Sequence, residues 1–206
     1  MRFKFFPLAI LLIASISFGF ISIDKSSSDL LDQSNGGVFF SSNLLYEMMG
    51  RTNCEAIRFY SAKPNSNGSE SVLAVCVSSG ADMKVMSSSS TKYRLFSGIQ
   101  NGTPSTNQLS KDQAAKAVRN VNGVRFAVTI SNNEINALLK AEGCTGIEVT
   151  RATTQNGSPT FLLTSAKLSG NTVVKSISPK VVKGENPCPP SCGANLSHKY
   201  LSTISR

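Results

Sequence analysis

The side chains with the greatest capacity for chemistry in this chain are five cysteines and one histidine. A cysteine hydrolase needs a thiol activated by a neighbouring base, which is usually a histidine. The single histidine, His198, lies near the end of the chain in a segment that we interpret as a tail. Cys188, Cys192 and His198 supply at most three of the four ligands that zinc usually takes. The sequence therefore favours a protein that is not an enzyme, without catalytic residues, a metal or a cofactor.

Cys188 and Cys192 enclose the sharpest local motif, Cys-Pro-Pro-Ser-Cys. In an extended polyproline conformation they would stand about 12 Å apart, at about 3.1 Å per residue. A disulfide needs Cα atoms about 4.4–6.8 Å apart, so the motif must turn if it closes on itself. We predict that these cysteines are oxidised, either to each other or with one of them bonded to Cys144. The alternative is an exported thiol, redox or hydrolytic protein that uses Cys188 and Cys192.

The N-terminal residues have the pattern of a signal peptide. Arg2 and Lys4 precede an apolar run over residues 5–23, and Ser17 and Gly19 are the small residues that a signal peptidase accepts before a cut after Gly19. Cleavage predicts a periplasmic or extracellular protein with no stable membrane span, in a compartment where disulfides persist. The alternative is an uncleaved N-terminal segment that anchors a structural protein of the envelope.

The formal net charge is +9 at pH 7, and the basic residues are scattered singly along the chain. Nucleic-acid surfaces usually gather Lys and Arg on one face and often interleave aromatic residues. The spread therefore argues against a nucleic-acid partner and leaves a mild attraction to anionic surfaces of the envelope.

The chain aligns with itself at an offset of 90 residues, which pairs Cys54 with Cys144 and Ile57 with Ile147. A one-residue gap also brings Asn67-Gly68-Ser69 onto Asn156-Gly157-Ser158. Apolar residues at helical spacing predict helices over residues 42–51 and 132–141, the second with a capping box formed by Ser131 and Glu134. The side chains predicted to be buried are Leu45, Met48, Met49, Ile135, Leu138 and Leu139.

These elements predict an α+β fold. A short β-prone run precedes each helix, and two apolar runs joined by Asn-Gly, a hairpin signal, follow it. We therefore expect two tandem βαββ repeats that form a pseudo-two-fold sheet with the helices packed on one face. Cys54 and Cys144 then occupy matching helix-to-strand junctions and are interpreted as small buried apolar residues, with Cys76 in the core.

The predicted organisation has five parts. A signal peptide covers residues 1–19 and the first repeat covers residues 20–86. A linker with a candidate edge strand follows at residues 87–108. The second repeat, with a preceding helix capped by Ser110, covers residues 109–178, and a Cys-Pro tail covers residues 179–206.

Three motifs carry a resemblance: CEAIRFY at residues 54–60, GADM at residues 80–83 and PCPPSC at residues 187–192. They resemble a family of uncharacterised exported bacterial proteins with a Gly-Cys-x-Gly-Ile-Arg-x-Tyr strand and a Pro-Cys-Pro-Pro-x-Cys tail. The resemblance implies export but no activity. The first repeat keeps Arg58 and Tyr60 of this pattern, whereas the second has Glu148 and Thr150 in their places.

Arg58 and Tyr60 are the candidate ligand-facing residues, because they alternate with Ile57 and Phe59 and so share the strand face opposite the apolar one. The alternative is that they only cover a surface or pack on a neighbouring strand. With no catalytic set and a duplicated architecture, we expect an exported non-enzymatic module that binds a protein or an envelope glycan through a sheet face or an edge strand.

Overall fold

The computed structural model describes residues 37–78 and 93–184. Within them the chain forms three helices and ten strands: β1 (Val38–Ser41), α1 (Ser42–Met49), β2 (Ala56–Ala62), β3 (Ser71–Val77), β4 (Tyr93–Gln100), β5 (Thr103–Leu109), α2 (Lys111–Arg119), β6 (Ala127–Ser131), α3 (Asn132–Leu139), β7 (Gly146–Thr153), β8 (Pro159–Ser169), β9 (Thr172–Lys175) and β10 (Val181–Lys183). None of the helices in these ranges has the length and apolar character needed to cross a membrane. The α+β class is confirmed. The predicted signal peptide lies outside the described residues.

The strands form two antiparallel sheets, so the expectation of one shared sheet is wrong. Sheet A has the order β1-β7-β8-β10, with β9 also paired to β8, and sheet B has the order β5-β4-β3-β2-β6. The segment predicted as a linker contributes both β4 and β5. Their hairpin turns at Asn101 and Gly102, which both have positive φ and thereby suit a tight two-residue turn.

Each sheet contains a strand from the other half of the chain. β1 pairs with β7 so that Ser41 lies opposite Gly146, and β6 pairs with β2 so that Ser131 lies opposite Ala56. The two ladders therefore have the same register at an offset of 90 residues. The backbone bonds that follow them correspond as well: Ser42 N–H donates to Thr145 O at 2.9 Å, and Asn132 N–H donates to Glu55 O at 3.1 Å.

The hairpins that follow the helices differ by one residue. Ala56 lies opposite Val77 in the β2–β3 ladder, whereas Gly146 lies opposite Ala166 in the β7–β8 ladder. The offset is thus 90 residues on the first strand of each hairpin and 89 on the second. The one-residue gap seen at the Asn-Gly-Ser turns continues through the returning strands, and it places Ser165 at the position that corresponds to Cys76.

Helices α1 and α3 pack into a core shared by both sheets. Leu45, Met48, Ile135, Leu138 and Leu139 are buried there as predicted, whereas Met49 is only partly buried. Ser41 and Ser131 cap the two helices, and the capping box of Ser131 with Glu134 is confirmed. The core connects the two sheets through aromatic pairs such as Phe40 with Phe59 and Phe126 with Phe161.

Helix α2 packs on the opposite face of sheet B, so the expectation that the helices share one face is wrong. Ser110 begins α2 in a capping box with Gln113. A second core forms where Ala114, Ala117 and Val118 meet aromatic and aliphatic side chains of sheet B: Tyr60, Leu73, Val75, Tyr93 and Leu95. Because sheet B carries a core on each face, every residue of β2 and β3 is buried.

Candidate functional site

Cys54 and Cys76 form a disulfide, which corrects the interpretation of both as unpaired core residues. The sulfurs are buried, with residue exposures of 6% and 4%. The bond joins the start of β2 to the end of β3, so it closes the β2–β3 hairpin at the end opposite its turn. Such a position suits a structural crosslink rather than a reactive pair, because reactive cysteines need solvent access.

Cys144 occupies the corresponding place in the second half and has no disulfide partner among residues 37–78 and 93–184. It is partly buried, and its Sγ donates to Gly146 O at 3.0 Å. The residue that corresponds to Cys76 is Ser165, so Cys144 has no sulfur partner at that position. Cys188, Cys192 and His198 lie outside the described residues. The disulfides proposed for the tail, including one with Cys144, therefore stay predictions.

Ser165 holds a loop in place of a disulfide. Its Oγ accepts from Lys180 N–H at 2.6 Å and from Ser176 Oγ at 3.1 Å. The backbone of Ser165 adds two bonds to the same loop, from Ser176 N–H at 3.1 Å and to Lys180 O at 2.9 Å. Ser165 and Ser176 are buried at 0% and 5% exposure. Residues 176–180, which connect β9 to β10, are thus fixed against β8 at both ends.

Arg58 and Tyr60 point to the face of sheet B that carries α2, as their alternation with Ile57 and Phe59 predicts. They are 1% and 0% exposed, so neither presents a surface to solvent in this conformation. Arg58 Nε donates to Thr129 Oγ1 of β6 at 2.8 Å, which joins two neighbouring strands. Tyr60 packs beside Tyr93 in the second core, where burial and Tyr60 raise the pKa of Tyr93 to about 12. Tyr93 is therefore a neutral phenol at physiological pH.

The outer face of sheet A is the side of β7, β8, β9 and β10 turned away from the shared core. Opposite residues of antiparallel strands share a face. The pairs Glu148 with Thr164, Thr150 with Leu162, Val181 with Thr164, Lys183 with Leu162 and Lys175 with Ala166 therefore lie together on it. Lys175, Val181 and Lys183 are exposed, and Glu148, Thr150 and Leu162 are partly buried.

One end of this face is covered by an aromatic side chain of β1. The ring of Phe39 lies across Gly146 so closely that a Cβ at that glycine would collide with it, and Phe39 is 1% exposed. Glu148 lies opposite Phe39 and against Gly37. Partial burial raises the pKa of Glu148, and the positive charge of Lys175 opposes this rise only in part.

A shallow depression of about 250 Å³ lies beside the covered end of the face. Its walls come from β1, α1 and β5, with Phe39, Asn43, Glu47 and Pro104 among them. Glu47 forms ion pairs with Arg51 and Arg94, both at 3.1 Å, so its carboxylate is engaged in ion pairs at the surface. Over residues 37–78 and 93–184, no group of three or more His, Cys, Asp or Glu side chains could hold a metal ion.

Comparisons with known protein families, with characterised proteins and with solved structures find no match for this chain. The resemblance to an exported family therefore stays a prediction. The candidate site is defined by its geometry alone: the outer face of sheet A and, at its edge, the loop that Ser165 holds.

Proposed function

We propose that this protein is an exported, non-enzymatic binding module that contacts a partner in the cell envelope through the outer face of sheet A. One observation carries the proposal. Sheet B is covered on both faces along β2 and β3, whereas sheet A leaves Glu148, Thr150, Leu162 and Lys183 in contact with solvent. A partner can reach the face at these positions, whereas Thr164 and Ala166 on the same face are buried.

The disulfide supports export, because disulfides persist in oxidising compartments and are rare in the cytosol. The signal-like N-terminus supports the same conclusion. Together they support the proposal of a periplasmic or extracellular protein.

Duplication is the second part of the proposal: the chain consists of two βαββ repeats related by a pseudo-two-fold axis, each giving its first strand to the sheet of the other. Equal registers at Ser41–Gly146 and Ser131–Ala56 support it. Such an exchange gives each half a larger core than a three-stranded unit could bury alone. The second half then has a sheet face free for binding, while the first is enclosed by α2 and β4.

The test is retention of the protein on envelope fractions of the producing cells. A face variant, Thr150→Glu with Leu162→Glu, adds two charges and bulk to the proposed surface. The matched control, Asn107→Glu with Gln108→Glu, makes the same change at exposed positions of the edge strand β5. We expect the face variant to lose retention and the control to keep it. Equal retention of wild type and face variant, with both folded by circular dichroism, would refute binding through this face.

A further inference from the structure

The edge of sheet A carries a segment, residues 175–183, that contains two exposed aliphatic side chains and three lysines. Ile177 is 65% exposed and Val181 is 53% exposed, and they are two of the four large apolar side chains that the described residues leave exposed. Lys175, Lys180 and Lys183 flank them and are all exposed. The segment thus combines apolar and positively charged side chains that are all accessible to a partner.

This exposure does not come from a loose loop. The bonds from Ser176 and Lys180 to the buried Ser165 fix both ends of the loop, and Ile177 N–H donates to Glu142 O at 3.1 Å. Pro179 further restricts the backbone between them. The fold therefore fixes the backbone at Ile177, whose side chain lies beside Gly143 and is still largely exposed.

The surrounding charge is positive. From Val149 to Gly184 the sequence contains Arg151, Lys167, Lys175, Lys180 and Lys183 and no acidic residue. Arg151 is paired with Glu70 at 2.6 Å. Two carboxylates lie nearby: Glu142, beside Ile177, and Glu148, on the same face as Lys175. The charge of Lys175 acts on Glu148, and the three lysines of the segment outnumber these two carboxylates.

We propose that residues 175–183 dock the protein on the surface of an anionic phospholipid bilayer. This inference rests on the proposed function and names the partner of the same face. Lysines gain about 1 kcal/mol each near an anionic lipid surface, and aliphatic side chains can be buried at the boundary between headgroups and acyl chains. A glycan offers no such apolar layer. A nucleic acid favours aromatic stacking, and the segment contains no aromatic residue.

The test is co-sedimentation of the purified protein, its N-terminus defined by mass spectrometry, with vesicles of phosphatidylcholine alone or of an equimolar mixture with phosphatidylglycerol. We expect binding to the mixed vesicles to exceed binding to the neutral ones. Replacing Lys175, Lys180 and Lys183 with Gln should weaken it about fivefold per lysine. Ile177→Ser should weaken it about tenfold, because it removes a buried aliphatic group.

Two controls match these changes elsewhere on the molecule. Lys111, Lys116 and Arg119 of α2 are replaced with Gln to remove three charges from the far side of sheet B, and Val124→Ser removes an aliphatic side chain that is 60% exposed. We expect both to bind as the wild type does. Equal losses in the α2 variant and the segment variant would overturn the proposal, since they would show attraction by net charge alone.

Absence of binding to the mixed vesicles would also overturn it. If the protein is nevertheless retained on envelope fractions through Thr150 and Leu162, the binding module stands and its partner is a glycan or a protein. If neither vesicles nor envelope fractions retain it, the proposed function fails as well. The two experiments therefore separate the failure of the lipid partner from the failure of the module.

Discussion

The two hairpins that follow α1 and α3 use corresponding positions for different interactions, a disulfide in the first and hydrogen bonds in the second. In the first, the junction cysteine, Cys54, is bonded to Cys76 on the returning strand. In the second, Cys144 bonds to no cysteine of the described part of the chain, and Ser165, at the position that corresponds to Cys76, bonds to the loop between β9 and β10. The disulfide closes the first hairpin on itself. In the second hairpin, the serine at the same position holds the exposed loop at residues 176–180.

Corresponding positions in β2 and β7 also differ in burial. Arg58 is buried in sheet B and bonded to Thr129, whereas Glu148, at the matching place in β7, lies partly open on sheet A. Structural roles are thus concentrated in the first half of the chain, and solvent-facing roles in the second. We expect the two halves to be equivalent in the core and to differ at these positions.

The largest effect is expected in the shared core, where the halves should behave alike. Leu45 in α1 and Ile135 in α3 occupy matching positions and are both fully buried. Leu45→Ala and Ile135→Ala should each lower the free energy of unfolding by about 2–5 kcal/mol through lost burial and a residual cavity. Denaturant melts measure both. Met49→Ala, at a partly buried position, is the control and should cost less. A loss below about 1 kcal/mol at either buried site would contradict the equivalence.

Most of this core was predictable from the sequence, because helix spacing and caps are local signals. Leu45 and Ile135 follow from apolar periodicity, and Ser131 with Glu134 from the capping-box pattern. The exchange of β1 and β6 between sheets was not predictable, because the pattern of each strand shows only that it is buried and not which strand it pairs with. β5 was missed because its residues Thr103–Leu109 lack apolar alternation, although Asn101-Gly102 was a hairpin signal.

The Cys54–Cys76 disulfide should make the first hairpin contribute more than the second to the free energy of unfolding. The cysteines are 22 residues apart, and a crosslink of that span stabilises by about 3 kcal/mol in the chain-entropy model. Cys54→Ser combined with Cys76→Ser should therefore lower the free energy of unfolding by about that amount. Cys144→Ser, which leaves the Cys54–Cys76 bond intact, is the control. If the control costs as much as the double variant, the disulfide is not the source of the difference.

The disulfide itself was missed because its recognition needs the strand register. The sequence alignment paired Cys54 with Cys144 and suggested that both were packing residues. Only the register of β2 with β3 places Cys76 beside the junction. Likewise, a serine such as Ser165 carries no sequence signal for its role, since the loop that it holds is defined by hydrogen bonds to residues 176 and 180.

A smaller effect should come from giving the second hairpin a disulfide at the position that the first hairpin uses. Ser165→Cys places a thiol at the position that corresponds to Cys76, so we expect a disulfide with Cys144 in the oxidised protein. The crosslink should gain about 3 kcal/mol, and the lost bonds to Lys180 and Ser176 should cost about 1 kcal/mol each. The net gain is about 1 kcal/mol. Non-reducing peptide mapping and melts with and without reductant measure it. Two alkylatable thiols in the oxidised variant would show that the hairpins differ in geometry as well as in sequence.

The smallest effect concerns Glu148, whose pKa is raised above the ordinary value of 4.5, first by burial. A carboxyl with a raised folded pKa costs nothing at low pH, where both states are protonated. As the pH rises above 4.5, the unfolded chain releases the proton first and stability falls until the folded carboxyl ionises. Glu148→Gln should therefore stabilise the protein at pH 7 but not at pH 4. The same change at the exposed Glu142 is the control, and an equal gain there would assign the effect to net charge rather than to the environment of β7.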